Sequence, residues 1–278
     1  EKINRCAGSR RKEATGMYIQ DKSRMESGLK PCAGLWEALK LEPERCPVLC
    51  LAGAGGKTTA MYRLAEEAAA RGLRVCVTTT TRIWRPGEER RVLLLERRAE
   101  ELKGKCLPGQ VLTAGVPTEP GKLKGLSPEE TAGLLEFCDL LLIEADGSKR
   151  LPFKVPAAWE PVILKEARAV VAVAGLAALG KPAGEVCFRK EQAERAFGIR
   201  PEEPVTPRLM ARVLADENGQ RKGVGQREYR ILLNQADSES GLLLACETAA
   251  CLRQMGERHC AVSGLYEGQR RFWQVETA

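Results

Sequence analysis

The glycine-rich segment Gly53-Ala54-Gly55-Gly56-Lys57-Thr58-Thr59 constrains the fold more than any other feature of this 278-residue chain. It follows the apolar run 48–52, which predicts a buried strand, and it leads into 58–71, which is rich in Ala, Glu and Leu and is closed by Gly72, as expected of a helix. Glycines let backbone N–H groups converge on an anion, and the amino end of a helix adds its positive dipole. The segment therefore predicts an α/β fold that holds a phosphate group at this loop.

The side chains of this loop fit a nucleotide. Lys57 has the reach for the β- and γ-phosphates, and the Thr58 hydroxyl is a ligand for Mg²⁺. The first glycine of the standard phosphate-binding loop would fall at Leu51, so the loop is a shortened G-x-x-G-K-T form of the kind found in ATP-dependent Mur-type ligases. A glycine-rich turn with a chance lysine is the alternative interpretation. We predict that residues 53–59 bind nucleotide phosphates.

An acidic segment follows the apolar run 140–143. A carboxylate at the carboxyl end of a parallel strand lies in the crevice where such sheets bind ligands, so Glu144 or Asp146 is predicted to hold Mg²⁺ or to orient a water molecule. The sequence does not decide between these two residues, and an acidic turn is the alternative. A second strand is predicted over 74–79, and the segment 78–82 at its end contains four threonines and an arginine. This segment is predicted to contact phosphate or a second substrate. The alternative is that it is simply the β-branched end of a strand.

A candidate for base recognition follows the apolar run 230–233. GTPases bind guanine with Asn-Lys-x-Asp at this place; Asn234 and Asp237 fit that pattern, whereas Gln235 replaces the lysine. Ser263-Gly264, after the next strand, is a candidate for contact with the base carbonyl. An ordinary turn with a helix cap explains the same residues, so both ATP and GTP stay open as the nucleotide.

Strands and helices alternate along the chain, and several strands lack polar alternation, which is typical of parallel sheets covered on both faces. We therefore predict a doubly wound, mostly parallel α/β domain over residues 31–278, with a helical insertion over 180–225. Ser127-Pro128-Glu129-Glu130 has the pattern of a helix start. Residues 1–30 hold eight Lys or Arg and four Asp or Glu, and are predicted to form a basic, flexible leader outside the fold.

Composition excludes several classes of function. The net charge is +7, of which the leader carries +4. The positive charge of the remaining residues is therefore too small to indicate binding of nucleic acid. No apolar run reaches the roughly 18 residues of a membrane helix, and the start lacks the apolar core of a secretory signal, so we expect a cytoplasmic protein. The eleven cysteines are interpreted as reduced thiols packed as small hydrophobes; Cys246, Cys251, His259 and Cys260 form the one grouping compatible with a metal.

Three segments resemble a known family. They are VLCLAGAGGKTT (48–59), VTTTTRI (77–83) and LIEADGSKRLPFKVP (142–156), and together they are similar to the bacterial selenium-dependent hydroxylase accessory protein family, YqeC-like. The resemblance extends over about residues 31–275. It implies a P-loop NTPase fold and a role in the maturation of selenium-dependent molybdenum hydroxylases. The order of motifs also resembles the nickel-maturation GTPases of urease and hydrogenase, which couple nucleotide hydrolysis to cofactor delivery.

The leading hypothesis from the sequence is a Mg²⁺-dependent nucleoside triphosphatase that acts as a maturation factor. Lys57 would stabilise the transferring phosphoryl group, Thr58 would hold Mg²⁺, and Glu144 or Asp146 would complete the metal site or position water. Its partners would be the nucleotide and a molybdenum hydroxylase or its cofactor. Two alternatives stay open: an ATP-dependent ligase or kinase acting on a small acid, and a cofactor carrier that uses nucleotide as a switch.

Overall fold

The protein is built around one large, mostly parallel β-sheet. The computed structural model describes residues 28–85, 87, 92–94, 99–118, 121–264 and 271–276. Its strands are β1 (Leu29–Cys32), β2 (Val48–Gly53), β3 (Val75–Thr79), β4 (Arg82–Trp84), β5 (Val92–Leu94), β6 (Val111–Pro117), β7 (Lys122–Lys124), β8 (Leu140–Glu144), β9 (Phe153–Lys154), β10 (Ala169–Gly175), β11 (Cys187–Phe188), β12 (Glu228–Asn234), β13 (Cys260–Gly264) and β14 (Arg271–Val275).

The strand order in the twelve-stranded sheet is β1-β14-β13-β12-β10-β2-β8-β3-β6-β7-β4, with β5 also paired to β6. From β13 to β6 every neighbouring pair is parallel. Antiparallel pairs occur only at the two margins, through β14 and β7, among the described strands. β9 and β11 form a separate two-stranded sheet. The predicted mostly parallel α/β fold is confirmed.

The central strands are buried on both faces, as their unbroken apolar character predicts. In β2, Val48 and Cys50 belong to the core on one face of the sheet, whereas Leu49 and Leu51 belong to the core on the other face. The same alternation holds along β8 and β10. Each side chain of these strands therefore packs under a helical layer, which explains why no polar residue interrupts them.

The helices cover the two faces of the sheet. They are α1 (Leu35–Ala38), α2 (Lys57–Ala69), α3 (Pro128–Gly133), α4 (Ala183–Val186), α5 (Lys190–Phe197), α6 (Pro207–Ala215) and α7 (Glu239–Gln254). α1 and α2 pack on one face, and α6 and α7 on the other. The helix start predicted at Ser127 is confirmed, because Ser127 and Glu130 form a reciprocal capping box with Pro128 in the first turn.

The predicted leader overlaps the first strand, and the predicted insertion contains three helices. Residues 1–27 of the leader lie outside the described residues, whereas Leu29 and Lys30, which the prediction placed in it, belong to β1 and pair with β14. The segment 180–225 contains α4, α5 and α6 together with the short strand β11. That residues 31–278 form one domain stays a prediction.

None of the cysteines described by the structure is in a disulfide bond, and most of them are buried. Burial raises the pKa of Cys50 to about 11 and that of Cys46 to about 12, so both thiols are protonated at neutral pH. Within the described part of the chain, no three His, Cys, Asp or Glu side chains are grouped so that they could hold a metal ion. None of the described helices combines the length and apolar character needed to cross a membrane.

Candidate functional site

The glycine loop lies between the carboxyl end of β2 and the start of α2, at the centre of the sheet. Gly53, Gly55 and Gly56 have φ values of 98°, 79° and 113°, a left-handed region that side chains rarely adopt. A Cβ atom at Gly53 would lie 2.2 Å from the Val173 carbonyl oxygen, and one at Gly55 would lie 2.2 Å from the Gly175 nitrogen. The loop therefore needs glycine for its backbone angles and for its close approach to β10.

We expect Gly55→Ala to disrupt the loop far more than Gly72→Ala does. Both glycines have positive φ (79° and 91°), so the conformational strain is matched, but a Cβ at Gly72 meets no atom within 4 Å. Thermal melts and nucleotide titrations of the two variants measure the difference. Gly55→Ala should lose nucleotide binding and melt at a lower temperature, whereas Gly72→Ala should keep wild-type affinity; equal behaviour of the two would contradict the assigned close packing.

The loop amides divide into anchoring groups and groups that face outward. The N–H of Gly53 donates to the Asp146 carboxylate at 3.1 and 3.2 Å, and that of Ala54 donates to the Val173 carbonyl at 2.8 Å. The N–H of Gly55 donates at 3.2 Å to a backbone carbonyl of the segment that follows β8. The first amides of α2 have no acceptor within the helix and receive no side-chain cap. The amides left for an anion are therefore those at the start of α2.

The ammonium group of Lys57, the first residue of α2, is buried against the backbone of the loop. Its Nζ donates to the Gly53 carbonyl at 2.6 Å and lies 3.2 Å from Oδ1 of Asp146 and 3.8 Å from Oε1 of Glu144. The Lys57 side chain is only 2% exposed. Lys57 is thus at the cavity, but its ammonium must leave Gly53 to reach a phosphate group.

Asp146 is a buried anchor of the loop. It accepts the Gly53 N–H, and its two oxygens lie 3.2 Å from Lys57 Nζ and 2.9 Å from Lys154 Nζ. Its side chain is completely buried and does not line the cavity beside the loop. A carboxylate in this position is balanced by two ammonium groups, and it fixes the backbone at the point where β2 turns into the loop.

A network of buried charged side chains extends from Asp146 to the second, smaller sheet. Lys154 Nζ donates to Gly147 O at 2.7 Å and to Glu160 Oε2 at 2.9 Å. Arg189 binds both oxygens of Glu160, at 2.9 and 3.0 Å. Burial would raise the pKa of Glu160, but the hydrogen bonds and charges of Arg189 and Lys154 outweigh it and hold this pKa below its usual range. No motif in the sequence marked Lys154, Glu160 or Arg189 as part of the site.

Thr58 and Glu144 form a pair of oxygen donors at the cavity. Thr58 Oγ1 donates to Glu144 Oε2 at 2.6 Å, and both residues line the cavity. Burial, partly offset by the Lys57 charge, raises the pKa of Glu144 above its usual range. A hydroxyl and a carboxylate are hard oxygen donors of the type that Mg²⁺ uses together with water and phosphate oxygens. The chemistry of this pair therefore fits a nucleotide-bound Mg²⁺.

The residues predicted to read the base lie on the other side of the loop, at the end of β12. Asn234 donates to Gly55 O at 2.8 Å and accepts from Ser263 at 2.8 Å, so both residues brace the loop. Asp237 is exposed, and its Oδ1 would lie 3.0 Å from a Cβ added to Gly264. Gln235 lines the cavity, and its buried Oε1 has no hydrogen-bond donor among the described residues.

The loop opens onto a cavity of about 690 Å³, a size typical of small-molecule sites. Among the described residues, six of the predicted site residues line it: Gly55, Gly56, Lys57, Thr58, Thr59 and Glu144. The predicted residues Gly53, Ala54, Asp146, Asn234 and Asp237 do not line it. The lining also includes residues that the site prediction omitted, namely Trp84, Lys122, Lys149, Arg150 and Gln235.

The parallel sheet, the shortened glycine loop at its centre and the lysine and threonine that open α2 define a fold of the P-loop NTPase type. A family model described as YqeC protein matches residues 49–191, about half of the chain. The YqeC protein of Escherichia coli (strain K12) is 33% identical over 198 residues, which are 68% of this chain and 75% of that protein. The chain belongs to the YqeC family, which confirms the resemblance seen in the sequence.

One solved structure that the chain matches is the MinC:MinD cell division protein complex of Aquifex aeolicus. The match covers 68% of this chain and 68% of that chain, with 14% identity and a TM-score of 0.33. Similarity at that level says nothing about function. The assignment of the fold therefore rests on the strand order and on the loop geometry of this chain.

Proposed function

We propose that this protein is a cytoplasmic, Mg²⁺-dependent factor that binds and hydrolyses a nucleoside triphosphate. The observation that carries the proposal is the uncapped start of α2, where Lys57 and the Thr58–Glu144 pair border a cavity of about 690 Å³. Helix amides and an ammonium group supply positive charge for a polyphosphate. A hydroxyl and a carboxylate supply the metal ligands.

Each residue has a distinct role in this proposal. The amides of the first turn of α2 hold the terminal phosphates, and Lys57 leaves Gly53 to neutralise charge on the oxygens of the transferring group. We assign Glu144 rather than Asp146 to the metal, because Glu144 lines the cavity with Thr58 whereas Asp146 is enclosed by Gly53, Lys57 and Lys154. Mg²⁺, when bound there, would lower the negative charge of the triphosphate.

The biological role that we propose is in the maturation of a selenium-dependent molybdenum hydroxylase. It rests on membership of the YqeC family and on the role that the sequence resemblance implies for that family. The client would be the hydroxylase or its cofactor. A ligase or kinase acting on a small acid would instead hydrolyse nucleotide only when its acceptor is supplied, and a nucleotide-switched carrier would bind nucleotide tightly with little turnover.

Phosphate release from ATP and GTP, with and without Mg²⁺, tests the proposed hydrolysis. We expect Glu144→Gln to lower the Mg²⁺-dependent rate by about 10²-fold, because an amide replaces the charged oxygen beside Thr58. Glu136→Gln, which changes an exposed carboxylate outside the cavity lining, is the matched control and should keep the wild-type rate. Wild-type rates and Mg²⁺ dependence in Glu144→Gln would refute the metal assignment.

The same assay distinguishes the two nucleotides. A preference for GTP that Asp237→Ala abolishes would establish guanine recognition at the end of β12. A preference for ATP would discard the Asn234–Asp237 motif as a base-recognition element. In that case Asn234 would keep only the bracing role shown by its hydrogen bonds to Gly55 and Ser263.

A further inference from the structure

The turn that follows β8 places two basic residues, Lys149 and Arg150, at the cavity. The N–H of Leu151 donates to the Ser148 carbonyl at 3.0 Å, which closes a four-residue turn around them. Both central residues have positive φ, of 48° and 64°. Turns of this form favour glycine and asparagine, which adopt such angles at the least cost. The chain therefore keeps a lysine and an arginine where smaller residues would be less strained, which points to a function of their side chains.

This turn is hydrogen-bonded to the phosphate-binding loop. The carbonyl of Leu151, the residue after Arg150, accepts the N–H of Gly55 at 3.2 Å. On the other side of the turn, the carbonyl of Gly147 accepts from the buried ammonium of Lys154 at 2.7 Å. The backbone that carries Arg150 is thus held on both sides, directly beside the loop.

The two basic side chains contact different parts of the molecule. The guanidinium carbon of Arg150 lies 4.8 Å from the ring centroid of Trp84, whereas Nζ of Lys149 lies 5.6 Å from that of Phe188. Trp84 belongs to β4 and lines the cavity, whereas Phe188 belongs to β11 and is not among the described residues that line it. A cation–π contact orients a guanidinium without cancelling its charge. The Arg150 guanidinium is therefore held against a wall of the cavity.

This wall is on the side of the loop where the terminal phosphates are expected. Glu144, the proposed metal ligand, ends β8 and is directly paired with Thr79, the last residue of β3. The strand β4, which carries Trp84, begins three residues after Thr79. In NTPases of this type the metal bridges the β- and γ-phosphates. Arg150 and the metal ligands therefore border the same end of the nucleotide.

The arginine complements the lysine of the loop. The Lys57 ammonium lies 3.2 Å from a carboxylate oxygen of Asp146 and donates to the Gly53 carbonyl, so its charge is shared with the buried anchor of the loop. Arg150 contacts an aromatic ring instead and is exposed. Its planar guanidinium has several N–H donors that bind phosphate oxygens in pairs.

We propose that Arg150 is a catalytic residue of the nucleotide hydrolysis, a cationic group supplied by the chain itself that binds the γ-phosphate in the transition state. The inference rests on the proposed function. In this step the oxygen of a water molecule bonds to the γ-phosphorus, the bond to the β–γ bridging oxygen breaks, and its electron pair stays on the diphosphate. One water proton remains on the inorganic phosphate and the other passes to solvent. The guanidinium stabilises the negative charge on the γ-phosphate and bridging oxygens.

Steady-state phosphate release by the full chain tests the proposal, with Mg²⁺ and whichever of ATP and GTP the wild type hydrolyses faster. The test variant is Arg150→Gln, and the control Arg200→Gln removes an exposed guanidinium outside the described cavity lining. We expect Arg150→Gln to lower kcat by about 10²-fold and to leave KM within about threefold of wild type, because the contact strengthens in the transition state. The control should keep both constants.

Binding of Mg·ADP with aluminium fluoride, a mimic of the transferring phosphoryl group, gives a readout that does not depend on turnover. Wild type and Arg200→Gln should bind Mg·ADP at least about tenfold more tightly when aluminium fluoride is present. Arg150→Gln should lose this gain, while its affinity for Mg·ADP alone stays within about twofold of wild type.

The outcomes separate this inference from the proposed function. A wild-type kcat in Arg150→Gln, with hydrolysis by the wild type intact, would overturn the role of Arg150 and leave the proposed hydrolysis standing. An equal loss in Lys149→Gln, or a loss confined to Arg82→Gln, would also overturn it. Absence of hydrolysis by the wild type would refute both together. If Arg150→Gln fails to fold, Arg150→Lys takes its place: it keeps the charge without the planar donors and should still lose at least about tenfold in kcat.

Discussion

The Lys57→Met variant is expected to lose nucleotide hydrolysis by about 10³-fold, the order found when a group that stabilises transition-state charge is removed. Methionine keeps the aliphatic stem packed but has no ammonium group to place on the transferring phosphate. The protein should still fold but melt at a lower temperature, because Asp146 loses the buried Lys57 charge and keeps its hydrogen bonds from Gly53 and its ion pair with Lys154. Phosphate release measures the first effect, and a thermal melt measures the second.

Lys165→Met is the matched control for this variant. The Lys165 side chain is 91% exposed and lies outside the cavity lining, so the same substitution there should leave both activity and melting unchanged. If the Lys57→Met protein hydrolysed nucleotide at the wild-type rate, Lys57 would have no part in the chemistry. The glycine loop would then have to be interpreted as a structural turn.

The second large effect is expected on stability, from Lys154→Met. The Lys154 ammonium is completely buried and is shared by Asp146, Glu160 and the Gly147 carbonyl. Removing it leaves Asp146 with one cation and Glu160 with Arg189 alone. Breaking buried charge pairs from one side costs about 3–5 kcal/mol of unfolding free energy, which urea denaturation measures.

Two comparisons make the Lys154 result specific. Lys165→Met removes the same charge from the surface and should change the unfolding free energy by less than about 0.5 kcal/mol. The double variant Asp146→Asn/Lys154→Met should lose less than the sum of the two single variants, because both substitutions disrupt the same ion pair. Additive losses would mean that Asp146 and Lys154 act independently. A Lys154→Met protein as stable as wild type would show that the network of buried charged side chains does not stabilise the fold.

The backbone of the fold was predictable because it depends on local patterns. The unbroken apolar runs at 48–52 and 140–143 correspond to β2 and β8, two neighbouring strands at the centre of the sheet. Burial on both faces removes the polar alternation, so such runs mark a covered parallel sheet. The marginal strands β1, β4 and β7 were not predicted, since they are only three or four residues long and are partly exposed.

The site was predictable only in part, because much of it depends on contacts between distant residues. The glycine segment predicted the position of the loop, but not that Gly53 and Ala54 use their amides to anchor it. Asp146 and Glu144 are two residues apart and chemically similar, yet only Glu144 lines the cavity. The difference arises from Lys154, whose ammonium lies 2.9 Å from Asp146 and which nothing in the local sequence marks as its partner.

The part of the cavity lining that β4 and β7 supply illustrates the same limit. Arg82 was singled out in the sequence because it follows four threonines at a strand end. Lys122 and Trp84 come together only through the antiparallel pairing of β4 with β7, across a separation of 38 residues in the chain. No periodic pattern predicts that pairing, so these lining residues could be identified only from the complete sheet.

Calorimetric titration of wild-type protein with non-hydrolysable analogues of ATP and GTP, in the presence of Mg²⁺, tests the central claim most directly. The account predicts saturable binding of at least one analogue at one site per chain, with affinity reduced when Mg²⁺ is withdrawn and lost in Gly55→Ala but not in Gly72→Ala. Folded protein that gives no binding heat with either analogue, at several temperatures and up to millimolar concentration, would contradict it.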